Sequence, residues 1–123
     1  MDTFESFLQR VGGRIRELRL ALGLSIEAVA LRSHVHPSFW SQVERGVKQP
    51  SLKSIHRMAA GLRCSPADIL EMEGSDPGPV IRRELAALVG ERPTKELSRL
   101  LAVMREVLGY WETETSSPRS CQR

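Results

Sequence analysis

Helix stop and start signals crowd the first half of this chain, and nothing in it alternates apolar and polar residues with the two-residue period of a strand. The chain must therefore fold as a string of short helices. Phe4, Phe7 or Leu8, Val11, Ile15, Leu18 and Leu22 recur at three- and four-residue spacing and predict a first helix ending near Leu22. Gly12-Gly13 weakens its middle, so its proper start is expected near that pair, with a separate or frayed turn before it. Gly23 suits a helix C-terminus, and Ser25 suits the N-cap of a second helix, Ile26 to about Ser33. Pro37 opens a third helix, which carries Phe39, Trp40 and Val43 and stops at Gly46. After the Gln49-Pro50-Ser51 turn, a fourth helix is expected to bury Leu52, Ile55, Ala59 and Leu62. Ser65-Pro66 starts a fifth, with Ile69 and Leu70 facing inward.

Gly74-Ser75-Asp76-Pro77-Gly78-Pro79 reads as the main boundary. Beyond it a helical hairpin is expected: Val80 to Val89, a turn over Gly90 to Pro93, then Thr94 as N-cap of a helix reaching Trp111. Leu97, Leu101, Met104, Leu108 and Trp111 are spaced 4, 3, 4, 3, the seam of helix pairing, so these five are candidate dimerisation residues. The organisation read from sequence is all-α. It comprises a domain over 1–73 (core 10–71), a linker over 74–79, a helical dimerisation segment over 80–111 and a polar, disordered tail over 112–123.

A hydrophobic content of 41% supports a modest core. No apolar run approaches the roughly 18 to 20 residues that cross a bilayer, and the acidic start Met1-Asp2-Thr3-Phe4-Glu5 lacks the pattern of a signal peptide. A cytoplasmic protein without membrane association is expected. Cys64 and Cys121 are too far apart and too few for a disulfide framework or a zinc site, and are read as reduced thiols. The net charge of +3 conceals a segregation. Between residues 10 and 63 stand Arg10, Arg14, Arg16, Arg19, Arg32, Arg45, Lys48, Lys53, Arg57 and Arg63, against Glu17, Glu27 and Glu44 alone, a local balance of +7. Such a concentration is what binding a phosphate backbone requires. No glycine-rich phosphate loop, nucleophile elbow or other catalytic set is present, so no enzyme, metal or cofactor is expected.

The helices at 26–33 and 37–45 are joined by the short turn Ser33-His34-Val35-His36, the geometry of a helix-turn-helix whose second helix enters the major groove. In a helix from Pro37, residues 38, 41, 42 and 45 share one face, while 40 and 43 share another. Gln42 can read adenine through its paired donor and acceptor, and Arg45 or Lys48 can anchor phosphates.

The run from Arg14 to Leu70 resembles the phage-repressor-like helix-turn-helix family, often called the XRE family. The matching residues are Arg14-Ile15, Leu18-Arg19, Gly23-Leu24-Ser25, Val29-Ala30, Val35, Ser41-Gln42-Val43-Glu44-Arg45-Gly46 and Pro50-Ser51. The resemblance implies a five-helix DNA-binding fold and an internal salt bridge between Arg19 and Glu44. It implies base-facing positions at Pro37, Ser38, Ser41 and Gln42, and phosphate-side positions at His36, Phe39, Arg45, Lys48, Ser51 and Lys53. Three residues depart from the family pattern. Ile26 replaces a polar residue, His34 stands where glycine is usual and implies a positive φ, and His36 takes a cap position usually held by Ser or Thr. His34-x-His36 supplies too few ligands for a metal, so a capping or DNA-facing role is expected. The C-terminal hairpin is loosely similar to the dimerisation segment of Sin-type repressors.

These features together imply a transcriptional regulator, a repressor by first reading with an activator left open, that binds a pseudo-palindromic operator in double-stranded DNA as a homodimer. Two other readings stay open. One is an antitoxin or interaction protein whose seam binds a different chain, and the other is a co-activator-like module without operator recognition. A protein or peptide antagonist also stays open as a partner.

Overall fold

A computed structural model of the chain describes residues 3–72 and 74–115. Among them are seven helices and no strands: α1 (Phe4–Ala21), α2 (Ile26–Ser33), α3 (Pro37–Glu44), α4 (Leu52–Gly61), α5 (Pro66–Leu70), α6 (Gly78–Val89) and α7 (Thr94–Thr115). Residues group into two compact units, Met1–Ala86 and Ala87–Arg123.

In the first unit each helix start is specified locally. Thr3, Ser25, Ser51 and Ser65 accept, through their side-chain oxygens, the N–H of Ser6, Ala28, Ser54 and Asp68, and Asp68 returns a bond to the Ser65 N–H. α1 runs unbroken through Gly12-Gly13, so the separate opening turn expected from sequence does not exist. Gly12 is there for contact: a Cβ at that position would lie 2.3 Å from the Val43 carbonyl oxygen, and only a bare backbone lets α1 cross α3 this closely. His34 takes the left-handed conformation (φ 56°) at the end of α2. Its N–H groups with those of Val35 close the Leu31 and Ala30 carbonyls.

The core gathers Val11, Ile15, Leu18, Val29, Ala30, Trp40, Val43, Ile55, Met58, Ala59, Leu62 and Ile69. Several residues expected inside are not. Leu52 is 89% exposed, because it sits at the first position of α4, past the edge of what the other helices cover. Leu70 is exposed because Ile69, one residue earlier on the same turn, takes the inward direction. Phe4 and Phe7 lie largely on the surface and pack on each other (centroids 6.4 Å apart), with Arg10 5.9 Å from the Phe7 ring.

The segment expected to be a linker is hydrogen-bonded to α1. The buried Arg14 donates to the carbonyls of Asp68 (3.0 Å) and Ser75 (2.8 Å), and Glu17 accepts from the Gly74 N–H. The compact unit therefore extends to Ala86, past residues 74–79. The first turns of α6 dock through buried Val80, through Arg83 to Asp68 (2.8 Å), and through Glu84, which takes Arg32 (3.0 Å) and Arg63 (3.2 Å) together. Partial burial works to raise the Glu84 pKa, but the bonds and charges of Arg32 and Arg63 overcome it and hold the carboxyl below its usual value. Cys64 is pushed up to about 12, chiefly by burial, and so is a neutral thiol at physiological pH.

In the second unit, α7 begins at Thr94, which places Pro93 rather than Thr94 at the cap position. It continues past Trp111 to Thr115, so residues 112–115 of the expected tail are helical. The remainder of that tail, residues 116–123 with Cys121, lies outside the described residues. None of the described side chains of α7 is buried.

Two predictions follow from this packing. The Ser33 hydroxyl is buried against Gly61 without a hydrogen-bond partner, and a Cβ on residue 61 would lie 1.8 Å from that oxygen. Ser33→Ala should therefore raise stability by about 1 kcal/mol. Gly61→Ala should lower it by roughly 2 kcal/mol alone and by less in the Ser33→Ala background, as read by denaturant unfolding. The Glu84 contribution is present above the ordinary glutamate pKa and is lost as pH falls through its lowered folded value. Glu84→Gln should flatten the acid side of the Tm-against-pH curve, by no more than about 1 kcal/mol for so accessible a set of pairs.

Candidate nucleic-acid interface

α3 is eight residues long and contributes two residues, Trp40 and Val43, to the core. So short a helix needs more than apolar burial to set its rotation. The further constraint is a buried ionic cluster. Arg19 on α1 donates from Nε to Glu44 Oε2 (2.7 Å) and from Nη2 to Glu44 Oε1 (3.0 Å), and its Nη1 reaches the Leu24 carbonyl (2.9 Å). The Trp40 indole N–H donates to the same Glu44 carboxylate. The bidentate fork fixes both distance and angle between the two helices. Hydrogen bonding to Glu44 raises the Arg19 pKa further, against the effect of its own burial, with the Glu44 and Glu27 charges adding to it.

With α3 held this way, the candidate residues divide. Ser38 and Arg45 are exposed and Gln42 is partly exposed, all three on the side of α3 away from Trp40, while Pro37 and Ser41 are partly exposed. His36 is exposed and caps the helix, its Nδ1 accepting the Ser38 N–H at 3.0 Å. Phe39 is half-buried and packs on the core cluster. Lys48, Ser51 and Lys53 are all exposed on the connection from α3 into α4. The Ser51 hydroxyl is engaged at the start of α4, accepting from the Ser54 N–H and bonding the Ser54 hydroxyl at 3.1 Å. Thus ten of the candidates fall within residues 36–53, on α3 and its connection into α4. The dimerisation candidates lie apart in sequence on α7, with Leu97 37% and Trp111 56% exposed.

One participant was missed by sequence reasoning. The sequence pattern places Trp40 only on the face of α3 that it shares with Val43, yet it stands four residues before Glu44 on one helix, and a buried indole N–H needs an acceptor, so the spacing carried the signal. Among the described residues no group of three or more His, Cys, Asp or Glu could hold a metal ion, and no helix is long and apolar enough to cross a membrane.

A five-helix unit in which two short helices meet across a tight turn, the second clamped to α1 with its polar side outward, defines a helix-turn-helix DNA-binding regulator. The chain belongs to that family: the model of the helix-turn-helix domain matches residues 10–72. Among characterised relatives, the control protein C.BamHI of Bacillus amyloliquefaciens is 31% identical over 61 residues, covering 49% of this chain and 75% of that protein. The structure is similar to that of the restriction-modification controller protein C.AhdI from Aeromonas hydrophila, with 39% identity and a TM-score of 0.51 over 52% of this chain and 97% of that one. It is also similar to an HTH_3 family transcriptional regulator from Vibrio cholerae, with 27% identity and a TM-score of 0.55 over 63% of this chain and 42% of that one. The family is one of non-enzymatic DNA-binding regulators. Residues beyond 72 lie outside the family match.

Removing one partner of the buried cluster leaves the other desolvated and unpaired. Glu44→Ala should cost about 3 kcal/mol or more in denaturant unfolding. Arg19→Ala with Glu44→Ala should cost clearly less than the sum of the two single changes, and strict additivity would show that the pair does not act as a unit.

Proposed function

We propose that this chain is a sequence-specific transcriptional regulator, a repressor, which binds a pseudo-palindromic operator as a homodimer. Each copy lays α3 in the major groove, and the two reading heads sit in successive grooves about 34 Å apart. Ser38, Ser41 and Gln42, with the backbone at Pro37, face the bases. Arg45, Lys48 and Lys53, with the N-terminal backbone of α4 at Ser51, grip phosphates. His36 and Phe39 flank the sugar-phosphate chain. The single observation that supports this most is the Arg19–Glu44–Trp40 clamp, since it turns the polar side of α3 outward beside exposed Lys48 and Lys53. The concentration of cations between residues 10 and 63 adds the attraction for a polyanion. The seam Leu97, Leu101, Met104, Leu108 and Trp111 supplies the pairing of copies, because one short helix offers too few base contacts for an operator. The cytoplasm is its working compartment.

The exposed apolar seam is also what favours a second reading, an antitoxin or interaction protein whose α7 takes a different chain. Such a chain would be monomeric when purified alone.

The division of labour is testable by gel shift on selected and random duplexes. Gln42→Ala should lower the preference for the selected site by roughly tenfold or more while leaving random-duplex affinity in place. Lys48→Ala should weaken both alike and reduce the slope of log affinity against log salt by about one. Equal losses on both duplexes for both variants would contradict the assignment.

A further inference from the structure

The caps that open α1, α2, α4 and α5 are the hydroxyl groups of Thr3, Ser25, Ser51 and Ser65, whereas α3 opens on an imidazole. His36 Nδ1 accepts the Ser38 N–H at 3.0 Å. A ring nitrogen that accepts carries no proton, so the neutral imidazole of His36 holds its single proton on Nε2. A protonated ring would donate at both nitrogens and could not cap. The fold thus selects one charge state and one tautomer of this side chain. A hydroxyl cap ends at the oxygen that accepts, but an imidazole continues to a second nitrogen. The two ring nitrogens point in divergent directions, so with Nδ1 turned to Ser38 the Nε2–H is directed away from the backbone of α3. His36 is exposed, and among the described residues nothing accepts from Nε2.

We infer that His36 binds a backbone phosphate of the operator as an uncharged donor, through Nε2–H. The inference rests on the operator-binding reading above and assigns the atom, tautomer and charge state of one of its phosphate contacts. Two considerations select a phosphate. The first is that the start of α3 lacks the backbone donors that a helix N-terminus ordinarily offers an anion. Pro37 has no N–H, and the N–H of Ser38 is taken by the cap. The imidazole replaces them further out, accepting from the helix on one side and donating on the other, so the donor is displaced outward by the width of a ring. The second is the chemistry of the ligand. Nε2–H can only donate, a phosphate oxygen can only accept, and the N-terminal end of a helix dipole favours its negative charge. With α3 laid in the major groove its N-terminal end approaches the DNA, and the cap residue stands ahead of the base-facing Ser38. An uncharged donor differs from a lysine in one measurable respect. It neutralises no phosphate and releases no counterion, so its share of the affinity does not fade with salt.

The test separates the two nitrogens. His36→Ser keeps a cap and removes the outer donor, whereas His36→Gln carries an amide N–H to the reach of Nε2 and removes the acceptor next to Ser38. His36→Ser should unfold in denaturant at the wild-type midpoint and bind selected and random duplexes alike about tenfold more weakly. Its slope of log affinity against log salt should match that of the wild type. His36→Gln should show the reverse, a lowered unfolding midpoint with most of the affinity retained. Single methylphosphonate linkages scanned across a half-site should weaken wild-type binding at one phosphate where they leave His36→Ser unaffected, and Lys48→Ala should stay sensitive at that position. Wild-type affinity in His36→Ser overturns the inference. So does a loss confined to the selected duplex, which marks a base contact, or a salt slope reduced by about one, which marks a charged ring. Each of these leaves the operator-binding reading intact. A wild-type protein that prefers no duplex over random DNA overturns both.

Discussion

The carboxylate of Glu44 is where the DNA-binding unit is held in register. It receives two bonds from Arg19 on α1 and one from the Trp40 indole on its own helix, so one buried anion ties α1, α3 and the aromatic centre of the core together. Burying such a pair has a desolvation cost that its attraction offsets only when the geometry is good and every remaining proton is satisfied. Here the fork is bidentate and the free Arg19 nitrogen finds the Leu24 carbonyl. What the cluster contributes beyond stability is orientation. α3 buries only Trp40 and Val43, and apolar contact alone would let so short a helix roll. Gly12 belongs to the same arrangement, because the fork can close only if the α1 backbone comes within contact of the α3 carbonyls.

Much of this was legible in the residues, for definable reasons. Caps at Ser25, Ser51 and Ser65, the proline opening α3 and the left-handed positions at Gly23, His34 and Gly46 are local chemistry, and each expected terminus is found. Burial was read less well, since it depends on what lies opposite. Leu52 and Leu70 have the spacing of core residues but meet solvent at the ends of their helices. The glycine pair at 12–13 reads as a weakness because helix propensity is a property of one segment, whereas Gly12 serves a contact with α3 more than thirty positions away. The residues at 74–79 were misleading in the same way. Their composition describes a linker, and only the fold reveals that Arg14 and Glu17 hold Ser75 and Gly74.

Of the candidate interface, the polar side of α3 could be read from period alone, and the Arg19–Glu44 pair came from the family resemblance. The structure adds how these depend on one another: His36 spends its Nδ1 on the helix cap, and Phe39 is as much a core residue as a surface one. Beyond residue 72 the chain builds on the domain in two different ways. α6 is attached largely by charge, with Glu84 between two arginines and Arg83 on Asp68 around the single apolar anchor Val80. α7 instead carries a long apolar face, and none of its described side chains is buried.

The central claim is that the outward side of α3 reads bases through the major groove, and methylation interference tests it most directly. Operator duplexes carrying N7-methylguanine at single positions would be partitioned into bound and free pools. The account predicts interference at two clusters of positions roughly one helical turn apart, where α3 of each copy approaches the major-groove edges. Bound and free pools with the same N7-methylation pattern at every position would contradict it.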